Sequence, residues 1–329
     1  MNDIKQLTTP VLYLVVPCYN EEEVLPQSSK EFDRVLTDLI DKSIVSPESK
    51  ILFVNDGSKD KTWALIQQFS QENSHFSGIS LSRNRGHQNA LLAGLMTAKK
   101  FADITVSLDA DLQDDINAVY EMIEKYKNGC DVVFGVRSER KTDTVFKRAT
   151  AQGFYKIMQK MGVKLVFDHA DYRLMSRRAL EALSQYREVN LFLRGLVCDL
   201  GFTTDVVYYK RNERAAGESK YPLKKMLAFA FQGISSFSIS PIRWITGLGF
   251  LVSFGSILAV LYALISLILG RVIPGWTSLL ISIWFLGGLQ LLAIGLIGEY
   301  IGKIYLESKQ RPRFLIQKAV GLPHDSKAD

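Results

Sequence analysis

The chain has 329 residues, of which 47% are hydrophobic and 22% charged, and a formal charge of +6; that is enough for about two domains and, over roughly its first 240 residues, for a sizeable core. No basic run interleaves with aromatic residues, which argues against a nucleic-acid groove, so the excess positive charge suits anionic substrates or an anionic membrane surface. Cys18, Cys130 and Cys198 are odd in number and far apart, with no CxxC pair, and the histidines form no HExxH, which argues for a reducing compartment and against a disulfide framework or a zinc site.

At the start, Asp3 and Lys5 stand in a polar stretch with no charged-then-apolar segment, so the bulk of the chain is expected in the cytosol. Val11 to Val16 is a continuous apolar run that breaks at Pro17, the pattern of a strand buried on both faces of a parallel sheet. Val24, Leu25, Phe32, Val35, Leu36, Leu39 and Ile40 then recur at helical spacing, with Glu21 to Glu23 at the favourable end of the helix dipole. Ile51 to Val54 predicts a second strand and Phe76 to Leu81 a third, with a helix from near Thr62 between them. Asn89 to Lys99 predicts another helix, Ile104 to Leu108 a fourth strand and Asp131 to Val136 a fifth. Such alternation implies a doubly wound α/β sheet that binds ligands at the carboxyl ends of its strands.

The candidate motifs sit at those ends. In Leu108-Asp109-Ala110-Asp111-Leu112-Gln113-Asp114-Asp115 an apolar run stops abruptly in acid. Extended backbone would project Asp109 and Asp111 from one face, with Gln113 one step on. Paired carboxylates repel unless a hard divalent cation lies between them, and Mg²⁺ favours one or two carboxylates plus diphosphate oxygens. A strand followed by an acidic helix start accounts for the same residues. Pro17-Cys18-Tyr19-Asn20-Glu21 and Asn55-Asp56-Gly57-Ser58 close two more strands; each reads either as a plain turn and cap, or as a nucleotide contact in which Tyr19 stacks a base and Glu21 and Asp56 accept hydrogen bonds. No GxGxxG follows the first strand and no GxxxxGK[ST] occurs, which excludes a dehydrogenase and a P-loop ATPase.

From about Leu14 to Pro312 the sequence resembles the polyprenyl-phosphate branch of glycosyltransferase family 2, the enzymes of GT-A fold typified by dolichol-phosphate mannosyltransferase and bactoprenol glucosyltransferases. The resemblance rests on Pro17-Cys18-Tyr19-Asn20-Glu21-Glu22, Asn55-Asp56-Gly57-Ser58, Ser82-Arg83-Asn84-Arg85-Gly86-His87-Gln88, Asp109-Ala110-Asp111-Leu112-Gln113-Asp114, Ala170-Asp171-Tyr172-Arg173 and Arg214-Ala215-Ala216-Gly217-Glu218-Ser219-Lys220-Tyr221. It implies a nucleotide-sugar donor, UDP- or GDP-linked, held by Pro17, Tyr19, Glu21, Val54, Asp56 and Ala110. It also implies Mg²⁺ or Mn²⁺ on Asp109, Asp111 and Gln113, and a mobile loop whose Arg214 and Lys220 close over the diphosphate. Asp111 and Asp171 would act in catalysis, Asp171 by orienting the nucleophile or taking its residual proton; a structural ion pair with Arg173 or Arg177 would explain Asp171 as well. Asn55 stands where relatives often carry Asp, and Ala170 where many carry Gly.

Lys147, Arg148 and Lys156 lie on an amphipathic pattern from Thr144 to Met161, either a solvated surface helix or one that faces a membrane. The resemblance makes Arg137 and Arg148 the grip on a polyprenyl phosphate acceptor, away from the nucleotide edge. His87 and His169 receive no role. After Pro241 the composition changes: Ile245 to Leu269 and Trp276 to Gly298 carry no charge, each long enough to span a bilayer, which takes about 20 residues. Lys224, Lys225 and Arg243 precede the first run and Lys303, Lys309, Arg311 and Arg313 follow the second, so both termini are expected in the cytoplasm. The expected architecture is an α/β GT-A (Rossmann-like) head with a doubly wound mixed sheet over residues 1–220. A juxtamembrane amphipathic helix at 221–243, two transmembrane helices within 244–300 and a basic cytosolic tail at 301–329 follow. The helices offer a route to homo-oligomers. The expected activity is inverting transfer of glucose or N-acetylglucosamine from a UDP-sugar to undecaprenyl phosphate at the inner membrane. A processive polysaccharide synthase shares such a head, but its Gln-x-x-Arg-Trp motif is only echoed in Ser240-Pro241-Ile242-Arg243-Trp244. A non-catalytic anchor that binds nucleotide sugar would not need the acids at Asp109, Asp111 and Asp171.

Overall fold

The computed structural model describes residues 9–138, 169–189, 191–210, 240–269 and 275–323. The chain divides into two units, one made of Met1–Lys156, Lys164–Tyr221 and Pro312–Asp329, the other of Ile157–Val163 and Pro222–Arg311.

In the first unit strands and helices alternate as β1 (Leu12–Cys18), α1 (Leu25–Asp41), β2 (Lys50–Asn55), α2 (Thr62–Glu72), β3 (Phe76–Leu81), α3 (His87–Ala98), β4 (Ile104–Ser107), α4 (Ala118–Lys127) and β5 (Val132–Arg137). Next come β6 (His169–Ser176), α5 (Arg177–Leu183), α6 (Leu193–Asp199) and β7 (Thr204–Tyr209), and β8 (Ile316–Val320) returns from the end of the chain. Every residue of β1, β3 and β4 is buried, so these strands read as unbroken apolar or small-residue runs without alternation. Helix α1 begins after Glu21 to Glu23, which lie in the preceding turn, and it buries Leu25, Phe32, Val35, Leu36 and Leu39 against the sheet. Helix α3 lies closest: a Cβ on Gly94 would stand 2.4 Å from Val15 Cγ1 and 2.7 Å from Val54 Cγ2.

The strand order is β7-β5-β6-β4-β1-β2-β3-β8. Strands β3, β2, β1 and β4 are parallel neighbours, while β6 runs antiparallel between β4 and β5. The expected mixed α/β sheet is therefore present. Because β6 is reversed, its first residues lie at the edge where β4 and β5 end: Ser107 pairs with Arg173 and Val136 with His169. Arg137 thus closes β5 on the same edge as the acidic loop, not away from the nucleotide edge as its position in sequence suggested. The expected tail also differs, since β8 pairs antiparallel with β3, Gly78 opposite Val320. Lys50 Nζ adds a 2.9 Å hydrogen bond to the Gly321 carbonyl.

The second unit contains α7 (Ser240–Ile268) and α8 (Trp276–Ser308). Among the described residues one segment, Phe285–Ser308, with mean hydropathy 1.5, is long and apolar enough to cross a membrane by length and composition. The apolar segment Pro241–Val252 in α7 is shorter than a span, so the structure supports one of the two expected transmembrane helices. Large apolar side chains on both helices stand exposed, among them Phe250, Phe254, Leu291 and Ile294. The amphipathic pattern at 144–161 and most of the juxtamembrane segment lie outside the described residues.

Candidate active site

Three loops meet at the carboxyl edge. Pro17, in β1, is buried beside Val54 of β2, and Tyr19 just beyond is 43% exposed. The next residues are sewn to the loop after β2: Asn20 N–H donates to Ser58 Oγ (3.0 Å), Glu21 N–H to Thr62 Oγ1 (2.9 Å) and Lys59 N–H to Asn20 Oδ1 (2.9 Å). The turn and cap chemistry weighed from the sequence is thus real, and it holds the backbone just after Tyr19 at the edge. Buried Asn55 donates its amide to Ser80 Oγ (2.8 Å) while its Oδ1 accepts from Ser58 N–H (3.1 Å). The Asn side chain thus ties β2 to β3 through its amide N–H and to the following turn through its oxygen.

Asp56 is only 2% exposed. Its carboxylate accepts the N–H groups of Arg85 (2.7 Å) and Gly86 (2.9 Å), so the residue expected to meet base or ribose also orders the loop that leads into α3. Burial raises its pKa, and the two backbone N–H groups counter the rise only in part. Gly57 has φ +65°, and a Cβ there would fall 2.6 Å from Arg83 C and Asn84 N, so the two loops touch backbone to backbone.

The acidic loop departs from the extended geometry read from the sequence. Strand β4 ends at Ser107, and Ala110 and Asp111 form a turn closed by Leu112 at φ 52° and by Gln113 N–H donating to Asp111 Oδ1 (3.2 Å). Asp109 and Asp111 are therefore held by a turn and not by strand alternation. Ala110 and Gln113 are turned inward, 4% and 3% exposed. Asp109 keeps a side chain 42% exposed. Its recessed position, with Asp114, Asp171 and Asp111 nearby, pushes its pKa up to about 6 despite the pull of His87. Asp114 is buried and accepts from Tyr209 Oη–H (2.6 Å) and from Arg137 Nη2 (3.2 Å), so β5 and β7 clamp the loop from the side. Arg137, expected to grip an acceptor phosphate, spends part of its guanidinium on this clamp.

Asp171, near the start of β6, lies across from the acid pair. Arg173 Nη2 reaches its Oδ1 at 3.0 Å, Arg194 approaches both oxygens through Nε (3.3 Å) and Nη2 (3.2 Å), and His87 Nε2 lies 3.6 Å from Oδ2. Burial alone would raise the Asp171 pKa; His87 and the two arginines overcome it and hold the carboxyl well below the usual range. His87 Nε2 is also 3.8 Å from Asp109 Oδ1. Burial pulls the imidazole down, but Asp171 and Asp109 win and leave its pKa above the ordinary histidine value.

The structure thus brings together Pro17, Tyr19, Glu21, Val54, Asp56, Asp109, Ala110, Asp111, Gln113, Arg137 and Asp171 on one edge; Arg148, Arg214 and Lys220 lie outside the described residues. It adds His87 and Arg194. His87 opens α3, two residues ahead of the start expected at Asn89, and its ring approaches both Asp109 and Asp171. Arg194 belongs to no motif, and only its pairing with Asp171 marks it.

A sequence model described as Glycosyl transferase family 2 matches residues 13–184. The Bacillus subtilis protein YkoT, named an uncharacterized glycosyltransferase, is 56% identical over 307 residues, 93% of this chain and 91% of that one. A bactoprenol glucosyl transferase of Shigella phage SfV is 41% identical over 309 residues, 92% of this chain and 97% of that one. Among solved structures, a mannosyltransferase from Pyrobaculum calidifontis in complex with GDP-Man and Mn²⁺ aligns at a TM-score of 0.42 and 14% identity, over 89% of this chain and 87% of that one.

Proposed function

Because the chain belongs to glycosyl transferase family 2, we propose that this glycosyltransferase moves glucose or N-acetylglucosamine from a UDP-sugar to undecaprenyl phosphate at the cytoplasmic face of a membrane, inverting the anomeric centre. One observation carries the reading: His87 lies 3.8 Å from Asp109 of the acid pair and 3.6 Å from Asp171 with its arginines, so acids and cations adjoin at a single sheet edge. Donor leaving group and anionic acceptor need those two environments side by side. The relatives named for bactoprenol glucosyl transfer, similar over nearly the whole chain, favour the lipid acceptor and glucose.

Asp109 and Asp111 suit Mg²⁺ or Mn²⁺, since both offer hard oxygen donors and the raised pKa of Asp109 reflects negative charge that a cation would relieve. Such an ion, when bound, supplies Lewis-acid stabilisation of the leaving diphosphate. The protein's own groups do the rest. Tyr19 stacks the base, with Pro17, Glu21, Val54, Asp56 and Ala110 shaping the nucleoside site, and Arg214 and Lys220 closing over the diphosphate. Arg137 and Arg148 take the acceptor phosphate. Its second pKa is near about 6, so its oxygen is already charged at neutral pH and attacks the anomeric carbon as the bond to diphosphate breaks. No strong base is required. We read α7 and α8 as two spans with both termini cytoplasmic, their exposed apolar side chains covered by lipid or by a second copy of the chain.

The test is incubation of the full-length protein with undecaprenyl phosphate and a panel of radiolabelled nucleotide sugars. Lipid-extractable label from UDP-glucose or UDP-N-acetylglucosamine is the expected result. Absence of lipid-bound label from every donor would overturn the reading.

A further inference from the structure

The motif at 82–88 ends in a residue to which the reaction scheme above gives no task. Gln88 is half-buried on the first turn of α3, and its Oε1 accepts the N–H of Leu193 at 3.0 Å across a separation of 105 residues. Leu193 opens α6, where a backbone N–H has no partner within its own helix, and the N-cap residue Phe192 supplies no side-chain cap. Leu193 is 0% exposed and Leu191 and Phe192 are buried beside it, so the bond is shielded from water. A glutamine on another helix provides the oxygen that the local sequence lacks.

That bond closes a ring around Asp171. His87 precedes Gln88 on α3, and its Nε2 lies 3.6 Å from Asp171 Oδ2 and 3.8 Å from Asp109 Oδ1. Arg194 follows Leu193 on α6 and reaches the two oxygens of Asp171 through Nε (3.3 Å) and Nη2 (3.2 Å). Both Arg194 contacts stand at the long end of the hydrogen-bond range, so a shift of α6 by about 1 Å breaks them. Three segments, α3, α6 and β6, therefore meet at one carboxylate, and the Gln88–Leu193 bond joins two of them without an ionised group.

We propose that Gln88 is a positioning residue of the transfer site: its Oε1 caps α6 from α3 and so keeps Arg194 and His87 in register on Asp171. The proposal deepens the glycosyl-transfer reading above and rests on it for the effect on rate. Gln88 acts through α6 and not on a substrate. The donor side has its own anchor, since Asp56 holds the N–H groups of Arg85 and Gly86, and losing the cap leaves that anchor in place.

The experiment uses the full-length protein in detergent micelles and three variants: Gln88→Leu removes the oxygen, Gln88→Glu keeps one at the same reach, and Gln88→Asn withdraws it by one methylene. Amide hydrogen exchange over residues 191–199, affinity for UDP by calorimetry, kcat and KM for undecaprenyl phosphate and a melting curve are measured for each. In Gln88→Leu the start of α6 is expected to exchange faster. Its kcat/KM should fall by about two- to ten-fold, the worth of one neutral hydrogen bond, while UDP affinity keeps its wild-type value. Gln88→Glu is expected to restore slow exchange and to stand closer to wild type than to Gln88→Leu in kcat/KM. Unchanged exchange in folded Gln88→Leu overturns the proposal, and so does faster exchange with unchanged kcat/KM, because the cap would then serve the fold alone. UDP affinity lost to the same extent as kcat/KM, or a Gln88→Glu variant no better than Gln88→Leu, overturns it as well. If Gln88→Leu does not fold, Gln88→Asn is judged by the same outcomes. If wild type forms no lipid product with any donor, the glycosyl-transfer reading fails, while exchange in α6 still decides whether Gln88 holds that helix.

Discussion

Asp109 and Asp111 stand a residue apart in one turn and invite different substitutions. Asp111 Oδ1 accepts the Gln113 N–H, a bond that the amide oxygen of Asn can keep. Asp111→Asn should therefore abolish transfer and move the unfolding free energy by no more than about 0.5 kcal/mol; wild-type rates from this variant, or from wild type in excess chelator, would refute the metal assignment. Asp109→Asn tests electrostatic strain. The Asp109 pKa rises from 3.8 to about 6 on folding, so the folded state favours the protonated acid, and stability is lost as pH climbs from about 4 through about 6. Removing the charge should make the metal-free protein more stable above pH 6, with the gap closing below about pH 4. Two pKa units would amount to roughly 3 kcal/mol unscreened. The side chain is 42% exposed, so solvent screening leaves about 1 kcal/mol. Denaturant unfolding at pH 7.5 and pH 4 measures both ends, and an Asn variant no more stable than wild type at pH 7.5 would contradict this account.

Elements buried on both faces were legible in the sequence, because a parallel strand under helices admits almost nothing but apolar and small residues. Strands β1 to β5 follow that rule, and each lies within a residue or two of where its apolar run predicts it. Strand β6 was not legible. It reads His-Ala-Asp-Tyr-Arg-Leu-Met-Ser, with Asp171 and Arg173 paired to each other and Asp171 further met by Arg194 and His87, partners distant in sequence. The site divides in the same way. Acids at strand ends announce themselves, whereas Arg194 depends on a pairing with a residue distant in sequence. At this scale Gly94 is the sensitive position, because a methyl group there would press on Val15 and Val54. Gly94→Ala should lift α3 from the sheet at a cost of about 1 to 3 kcal/mol. Since α3 carries His87 and Gln88, activity at a temperature where the variant is still folded should fall as well; an unchanged melting curve would show that the helix has slack.

For the whole molecule, the membrane orientation proposed above is open to a direct check. A cysteine introduced at Gly275, between α7 and α8, should label from outside intact cells, and one at Ser308, the last residue of α8, should not. The reverse pattern, or equal labelling, would overturn the assignment of both termini to the cytoplasm. Strand β8 was missed because its residues, Ile-Gln-Lys-Ala-Val, sit in a charged tail and form no apolar run; only backbone pairing along β3 reveals it.

That pairing sets the order of events on the ribosome. Strand β3 is made early, yet its partner lies beyond α7 and α8, so throughout most of synthesis the nascent head presents an open strand edge of the kind that recruits foreign strands. The two apolar helices emerge before that edge can be sealed. A chain halted within α8 would carry seven of the eight described strands, and the β3 edge would stay open until β8 had emerged.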